Sequence, residues 1–400
     1  MAQIINAQEI IQKEQEYVLQ TYPRLPFVLT EGKDGYLFDS EGNQYLDFGS
    51  GIAVTALGHG DEEVVKTIQQ QVQTLSHVSN LYHTAPHAEL AEKLCQLSFA
   101  DKVFFSNSGA EAVEASLKFA RKYAQVKSGE GKTKLVAFSE GFHGRTFGAL
   151  SITAREKYQA PFRPLVPGSE IVPYNDIAAA QQAIDASTCA VVVEVVQGEG
   201  GVNLATHQFL QSLRAVCTQH AALMIVDEIQ TGFGRTGKLW AYQHYDIQPD
   251  IMTLAKAMGG GLPIGATLMT NAVAEAIVTG DHGSTFGGGP VAASAALVVL
   301  HRTQDARMLK HVTEMGAYLH HELEVLEIPQ VVEIRSLGLM VGVELNTEAS
   351  PFYQKAHEYG ILILTAGPNV IRLFPPLTIT KAQIDEFIQG FKKLFMGKTI

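Results

Sequence analysis

The chain has 400 residues, about three times the length of a typical domain, and 46% of them are apolar, which provides for a large buried core and excludes a disordered or fibrous protein. Acids outnumber bases by 41 to 30, a net charge of -11 at pH 7 with no Lys/Arg block, so the charge pattern suits neither nucleic acid nor an anionic membrane surface. An anionic ligand must therefore be caught by local groups. The longest apolar runs, such as 190–193 and 291–300, fall short of the ~18 residues that a membrane helix requires. Glu9, Glu14 and Glu16 interrupt the isoleucines near the N-terminus, a layout unlike a signal or transit peptide, which points to a mature cytoplasmic protein. Cys95, Cys189 and Cys217 are too far apart for a redox pair or a thiolate zinc cluster and are expected to be buried free thiols.

In chain order, apolar residues at helical spacing over 6–22 predict an opening helix stopped by Pro23 and Pro26. Short β-like runs at 27–30, 36–39 and 44–48, separated by turn-forming segments, predict an antiparallel meander. Two helical patterns follow Asp61. Buried strands are then expected at 103–106, 135–138, 190–196, 223–226, 251–254 and 266–269, with helices at 109–123, 177–186 and 206–219 between several of them. This alternation predicts an α/β domain built on a mostly parallel sheet. Helical patterns at 305–326 and 380–396 flank β-like pieces at 331–336, 339–345 and 370–373, which predict a smaller α+β domain shared with the N-terminal meander.

In an open parallel sheet, ligands gather where the strands end, so polar residues just after predicted strands are the first candidates. The G-x-G-x-x-G pattern from Gly232 to Gly237 suggests a dinucleotide site, but no helical pattern opens after it and no acidic residue follows at the ribose-binding spacing. The same residues read as a phosphate loop reaching Lys238, yet Leu239 stands where a magnesium-binding hydroxyl is needed. His83 and His87 have the spacing of helical zinc ligands, but Pro86 is expected to disrupt the helix and the zinc-protease glutamate is missing, so no metal site is expected.

Asp227 and Glu228 end an apolar strand, where a buried carboxylate is costly unless a cation meets it. Lys256 follows the next strand, within Leu254-Ala255-Lys256-Ala257-Met258 and ahead of a glycine run. It is either a surface lysine or a desolvated one, whose amine form makes Schiff bases. Ser106-Asn107-Ser108-Gly109-Ala110-Glu111 opens the 109–123 helix, as a plain N-cap or as a phosphate-binding helix start.

Together with Gly51-Ile52-Ala53-Val54, Phe142-His143-Gly144-Arg145-Thr146, Gln197-Gly198-Glu199-Gly200-Gly201, the run from Asp227 to Gly237, and Gly283-Ser284-Thr285-Phe286-Gly287-Gly288, these residues resemble the class III (omega) aminotransferases. Those are fold-type I enzymes that use pyridoxal 5'-phosphate (PLP), and the resemblance spans nearly the whole chain. The run from Thr365 to Leu373 is similar to the acetylornithine aminotransferase branch, although Ala110 and Val113 stand where many of its members carry Thr and Asn.

The resemblance implies a large PLP-binding domain over 56–304 with a mostly parallel seven-stranded sheet, and a small α+β domain over 305–400 joined by the segment 1–55. It implies a Schiff base on Lys256, which then shuttles a proton, and pairing of Asp227 with the pyridine nitrogen of PLP. Ser108, Gly109 and Ala110 would hold the phosphate, with Thr285 supplied by the partner of a homodimer that shares its active sites. Phe142 would stack on the ring and Gln230 would lie near its phenolic oxygen. Arg145 would take a distal carboxylate and Arg372 the carboxylate beside a keto group, an Arg fork matching a carboxylate bidentately. Glu199 would neutralise Arg372 when the substrate carries no charge there, and Ser284 would complete the substrate pocket. The implied reaction is amino transfer from N-acetylornithine to 2-oxoglutarate in arginine biosynthesis. Succinylornithine, ornithine, 4-aminobutyrate and acetyl-lysine are the alternative donors. An aminomutase or decarboxylase on the same scaffold, and an NAD oxidoreductase using the glycine pattern, are the alternatives of other classes.

Overall fold

The apolar runs of the sequence form a seven-stranded sheet in a computed structural model that describes residues 6–397. Across it the strands are Lys102–Ser106, Gly265–Met269, Ile251–Leu254, Leu223–Asp227, Thr188–Val193, Lys134–Phe138 and Ser169–Val172. Gly265–Met269 runs against both of its neighbours, and all other pairings are parallel. The mostly parallel α/β architecture is therefore as expected. Thr188–Val193, Leu223–Asp227 and Ile251–Leu254 are buried along their whole length, which is why they read as continuous apolar runs. The edge strand Ser169–Val172 exposes Glu170 and Ile171 and has no such run to announce it. The expected 190–196 strand divides into Thr188–Val193 and Val196–Gln197, because the chain leaves the sheet at Glu194.

The helices Gly109–Ser128, His207–Gln219, Ala306–Val325 and Lys381–Met396 match the periodicity. The opening helix is shorter than predicted: Asn6 caps Ala7–Tyr17, which buries none of its residues, so no packing extends it to Pro23. A helix the periodicity does not reveal, Pro290–Thr303, buries Ala293, Ala296, Val299 and Leu300 and carries no polar stripe. It packs against Glu62–Thr74, Ala85–Gln96 and the turn Lys256–Gly259.

Pro86 does not disrupt a helix. It lies in the first turn of Ala85–Gln96, where a missing N–H breaks no intrahelical bond. His83 precedes that helix, and His87 sets Nδ1 3.1 Å from the carbonyl oxygen of Gly288. Cys95 also departs from expectation, being only partly buried, whereas Cys189 and Cys217 are buried free thiols pushed up to about 11 and about 12 by burial.

The meander Leu29–Lys33, Tyr36–Asp39 and Gln44–Asp47 gains a fourth strand, Ile361–Leu362, so both ends of the chain share one sheet. A second antiparallel sheet contains Val331–Leu337, Met340–Leu345, Val370–Leu373 and Leu364–Ala366, and its register sets Arg372 beside Gly342. The glycine pattern at 232–237 forms turns rather than a helix start. Its Arg235 is buried and donates from Nη1 to the carbonyls of Leu339 at 3.0 Å and Pro375 at 2.5 Å, tying these turns to the C-terminal segments. Among the described residues no helix is long and apolar enough to cross a membrane.

Candidate active site

The parallel strands end along one edge of the large sheet, and the residues that follow them line a cavity of about 490 Å³. Ser108, Gly109, Ala110, Phe142, Arg145, Asp227, Gln230 and Lys256, named from the sequence, are all in its wall, which Val54 and the segment 261–264 complete.

Asp227 ends the central strand and is 4% exposed. Its Oδ2 lies 2.8 Å from Nδ1 of His143, while Oδ1 accepts from the Ile229 amide at 3.1 Å and the Thr253 hydroxyl at 3.2 Å. Burial disfavours the His143 cation, but the hydrogen bond and charge of Asp227 outweigh it and hold the imidazole above its ordinary pKa. Glu228 faces the other way, accepting from the Tyr242 amide at 2.7 Å and the Thr231 hydroxyl at 2.5 Å. The period of two along an extended chain thus sends one carboxylate to the cavity and its neighbour to the core.

Lys256 begins the turn Lys256–Gly259 with φ 45°, a left-handed conformation that costs a non-glycine residue about 1–3 kcal/mol and is held by the buried Ala257 and Met258. Among the described residues no hydrogen-bond acceptor meets its Nζ, although Glu199, Asp227 and Glu194 act on it by charge. Burial lowers its pKa from 10.5 to about 8, overcoming the pull of those carboxylates. Acetylation of this lysine in the unliganded protein, followed by mass spectrometry across pH, is expected to rise through a midpoint near 8. A midpoint near 10.5 would contradict the burial. Between those values the unfolded chain is the better proton binder, so the cost of burying Lys256 falls as the pH rises through that window.

Ser108 caps the helix Gly109–Ser128, its side chain accepting from the Glu111 amide, and the Glu111 carboxylate returns to the Asn107 amide at 2.6 Å. This satisfies both ends of the cap. The Gly109 and Ala110 amides have no acceptor among the described residues and stand at the positive end of a 20-residue helix, an arrangement suited to an anion. Gly144, at φ 131°, packs so closely on this helix start that a Cβ there would meet the Ala110 Cβ at 2.8 Å. The close approach brings Phe142 and Arg145 into the same wall.

The buried Arg372 donates from Nη1 to Oε1 of Glu199 at 2.6 Å and approaches Oε1 of Gln230 at 3.4 Å. Burial opposes the charge on Glu199, but the cations of Arg372 and Lys256 outweigh it and hold the carboxyl below its usual range. Gln230 lines the cavity and so joins this pair to it. Ser284 is one contact removed, its Oγ accepting from Nδ2 of Asn107 at 3.2 Å. Thr285 is not brought to the cavity; it lines a separate cleft with His77, Tyr82 and Gly287.

Sequence reasoning passed over His143 and Glu194 as site residues. Glu194 accepts from the Phe142 amide at 3.0 Å, and burial pushes its carboxyl up to about 7 against the opposing pull of His143. Its signal was available, since it directly follows the apolar end of the buried strand Thr188–Val193, much as Asp227 follows the apolar residues of its own strand. His143 carried no positional signal beyond its motif.

Residues 17–395 match the family Aminotransferase class-III. This chain is a class-III aminotransferase. It is 47% identical to an acetylornithine aminotransferase of Caldanaerobacter subterraneus over 95% of this chain and 97% of that one. It is 46% identical to a mitochondrial acetylornithine aminotransferase of Alnus glutinosa over 95% of this chain and 86% of that one. Among solved structures, a Toxoplasma gondii ornithine aminotransferase, described with partial occupancy of PLP at its active site, is 31% identical with a TM-score of 0.94, covering 98% of this aminotransferase and 95% of that chain.

Proposed function

We propose that this aminotransferase transfers the terminal amino group of N-acetylornithine to 2-oxoglutarate in arginine biosynthesis, with PLP as cofactor. The residues present fit that cofactor: an amine and two helix-start amides, all without hydrogen-bond partners among the described residues, and a buried carboxylate face one cavity. PLP, when bound, supplies an aldehyde for the substrate amine and a ring that accepts electrons from the reacting carbon. Lys256 Nζ takes the proton from the amine-bearing carbon and returns it, a task suited to an amine brought near the working pH. Asp227, fixed by His143, Thr253 and the Ile229 amide, keeps a ring nitrogen protonated. Ser108 and the Gly109 and Ala110 amides would hold the phosphate, and Phe142 and Gln230, in the same wall, would hold the ring.

The observation that carries the choice of substrates is the contrast between two guanidinium groups. Arg372 is already paired with Glu199, whereas Arg145 has no ion-pair partner among the described residues. Arg145 takes the distal carboxylate common to both substrates. The Glu199–Arg372 pair accepts an uncharged donor end when closed and, when Glu199 withdraws, the carboxylate beside the keto group of 2-oxoglutarate. In this reading Thr285 serves the site from the partner of a homodimer, Ser284 completes the substrate pocket, and the large domain at 56–304 meets the smaller one formed by 305–400 and 1–55.

Glutamate formation by the purified holoenzyme from 2-oxoglutarate and each candidate donor tests the assignment. N-acetylornithine is expected to exceed ornithine and 4-aminobutyrate in kcat/KM by about tenfold or more. Equal rates across the panel would defeat the choice of donor, and absence of glutamate would favour the mutase or decarboxylase chemistry.

A further inference from the structure

The short helix Glu156–Gln159 lies outside the cavity wall, yet it reaches the arginine at its mouth. The Arg145 guanidinium carbon is 3.4 Å from the centroid of the Tyr158 ring. No hydrogen bond or ion pair fixes Arg145 among the described residues, and it is exposed, so this stacked face and the more distant Phe142 ring, at 5.7 Å, restrain it. Tyr158 is itself held. Phe142 and Tyr158 meet edge to face, with centroids 6.5 Å apart and planes at 85°. The Gln159 side chain donates to the carbonyls of Leu150 and Thr153, both at 3.0 Å. Arg155, which caps the turn, donates to the Glu199 carbonyl at 2.6 Å. The ring under Arg145 is thereby anchored to the turn that carries Glu199.

We propose that Tyr158 is a specificity-determining positioning residue, whose ring holds the Arg145 guanidinium flat at the cavity mouth with its N–H edge free for the distal carboxylate of the substrate. Stacking occupies the face of a guanidinium and leaves its in-plane donors available, the geometry that bidentate carboxylate binding needs. An ion pair would occupy those donors. A ring therefore orders the cation without competing with the ligand, and the ordering entropy is lost before substrate arrives. This inference rests on Arg145 as the distal-carboxylate site.

The test compares holoenzyme variants on matched pairs: N-acetylornithine against N-acetyl-1,4-diaminobutane, and 2-oxoglutarate against 2-oxopentanoate, each second member lacking the distal carboxylate. Tyr158→Leu is expected to lower kcat/KM about tenfold for the carboxylate-bearing members, mainly through KM, and to leave their partners within about twofold. Tyr158→Phe keeps the π face and is expected to stay near wild type, as is the visible spectrum of bound cofactor in both variants. An equal loss on both members of a pair, or no loss on either, overturns the proposal. If Tyr158→Leu fails to fold, Tyr158→Met carries the same expectation, because it fills the space without a ring. Failure of the underlying assignment has a separate signature: wild-type enzyme, or an Arg145→Ala variant relative to it, that does not distinguish the members of a pair.

Discussion

Replacing Lys256 with alanine is expected to reduce turnover by about 10,000-fold or more, because on the proposed function one substitution removes both the amine that would react with the cofactor aldehyde and the base that would move the substrate proton. Positioned proton transfer alone contributes about 100- to 10,000-fold, and the covalent role adds to it. The fold should tolerate the change. Among the described residues Nζ has no hydrogen-bond partner to strand, a lysine whose burial opposes its own charge is replaced by an apolar residue, and the left-handed backbone at φ 45° was already strained. The variant should remain folded by circular dichroism, lose the visible absorbance that reports covalent cofactor, and show no measurable glutamate formation. Absorbance and turnover both retained at wild-type level would remove Lys256 from the mechanism.

The residues most legible in the sequence were those whose chemistry clashes with their surroundings. Lys256 and Asp227 stand beside buried, mainly apolar strands, and burying a charge there without a task is costly. Glu194 obeys the same rule, but it lies outside the motifs that carried the resemblance. The large sheet was legible for a related reason: a strand buried on both faces reads as an apolar run, so Leu223–Asp227 and Ile251–Leu254 appeared while the half-exposed Ser169–Val172 did not. Pro290–Thr303 stayed hidden because a helix buried on most sides loses the polar stripe that marks its period. Long-range pairings were a different matter. Nothing local in the sequence sets His143 against Asp227, 84 positions away, or Arg145 against Tyr158 rather than an acid. Chain folding decides these contacts, and motif spacing records only that the residues are present.

Asp227→Asn separates charge from shape at the floor of the site. The amide keeps the volume of the carboxyl, and its oxygen can still accept from the Ile229 amide and the Thr253 hydroxyl, now held at 3.1 and 3.2 Å. Its NH2 group would face Nδ1 of His143, which is satisfied only if the imidazole is neutral and presents a lone pair there. The substitution therefore removes the interaction that keeps His143 above its ordinary pKa, and that pKa is expected to fall. On the proposed function, the cavity would then lack the Asp227 charge that would keep the cofactor ring protonated, and with it the electron-accepting chemistry the cofactor would supply. Loss of one preorganised charge in a closed site costs about 100- to 1,000-fold in kcat, and a decrease of that size is expected with KM little changed. Cofactor should still bind through Lys256 and the helix start, so the visible spectrum persists while single-turnover bleaching by donor slows by the same factor. A kcat within about threefold of wild type would show that the Asp227 charge is dispensable, and the His143–Asp227 contact would then be structural, like the Glu228–Thr231 contact beside it.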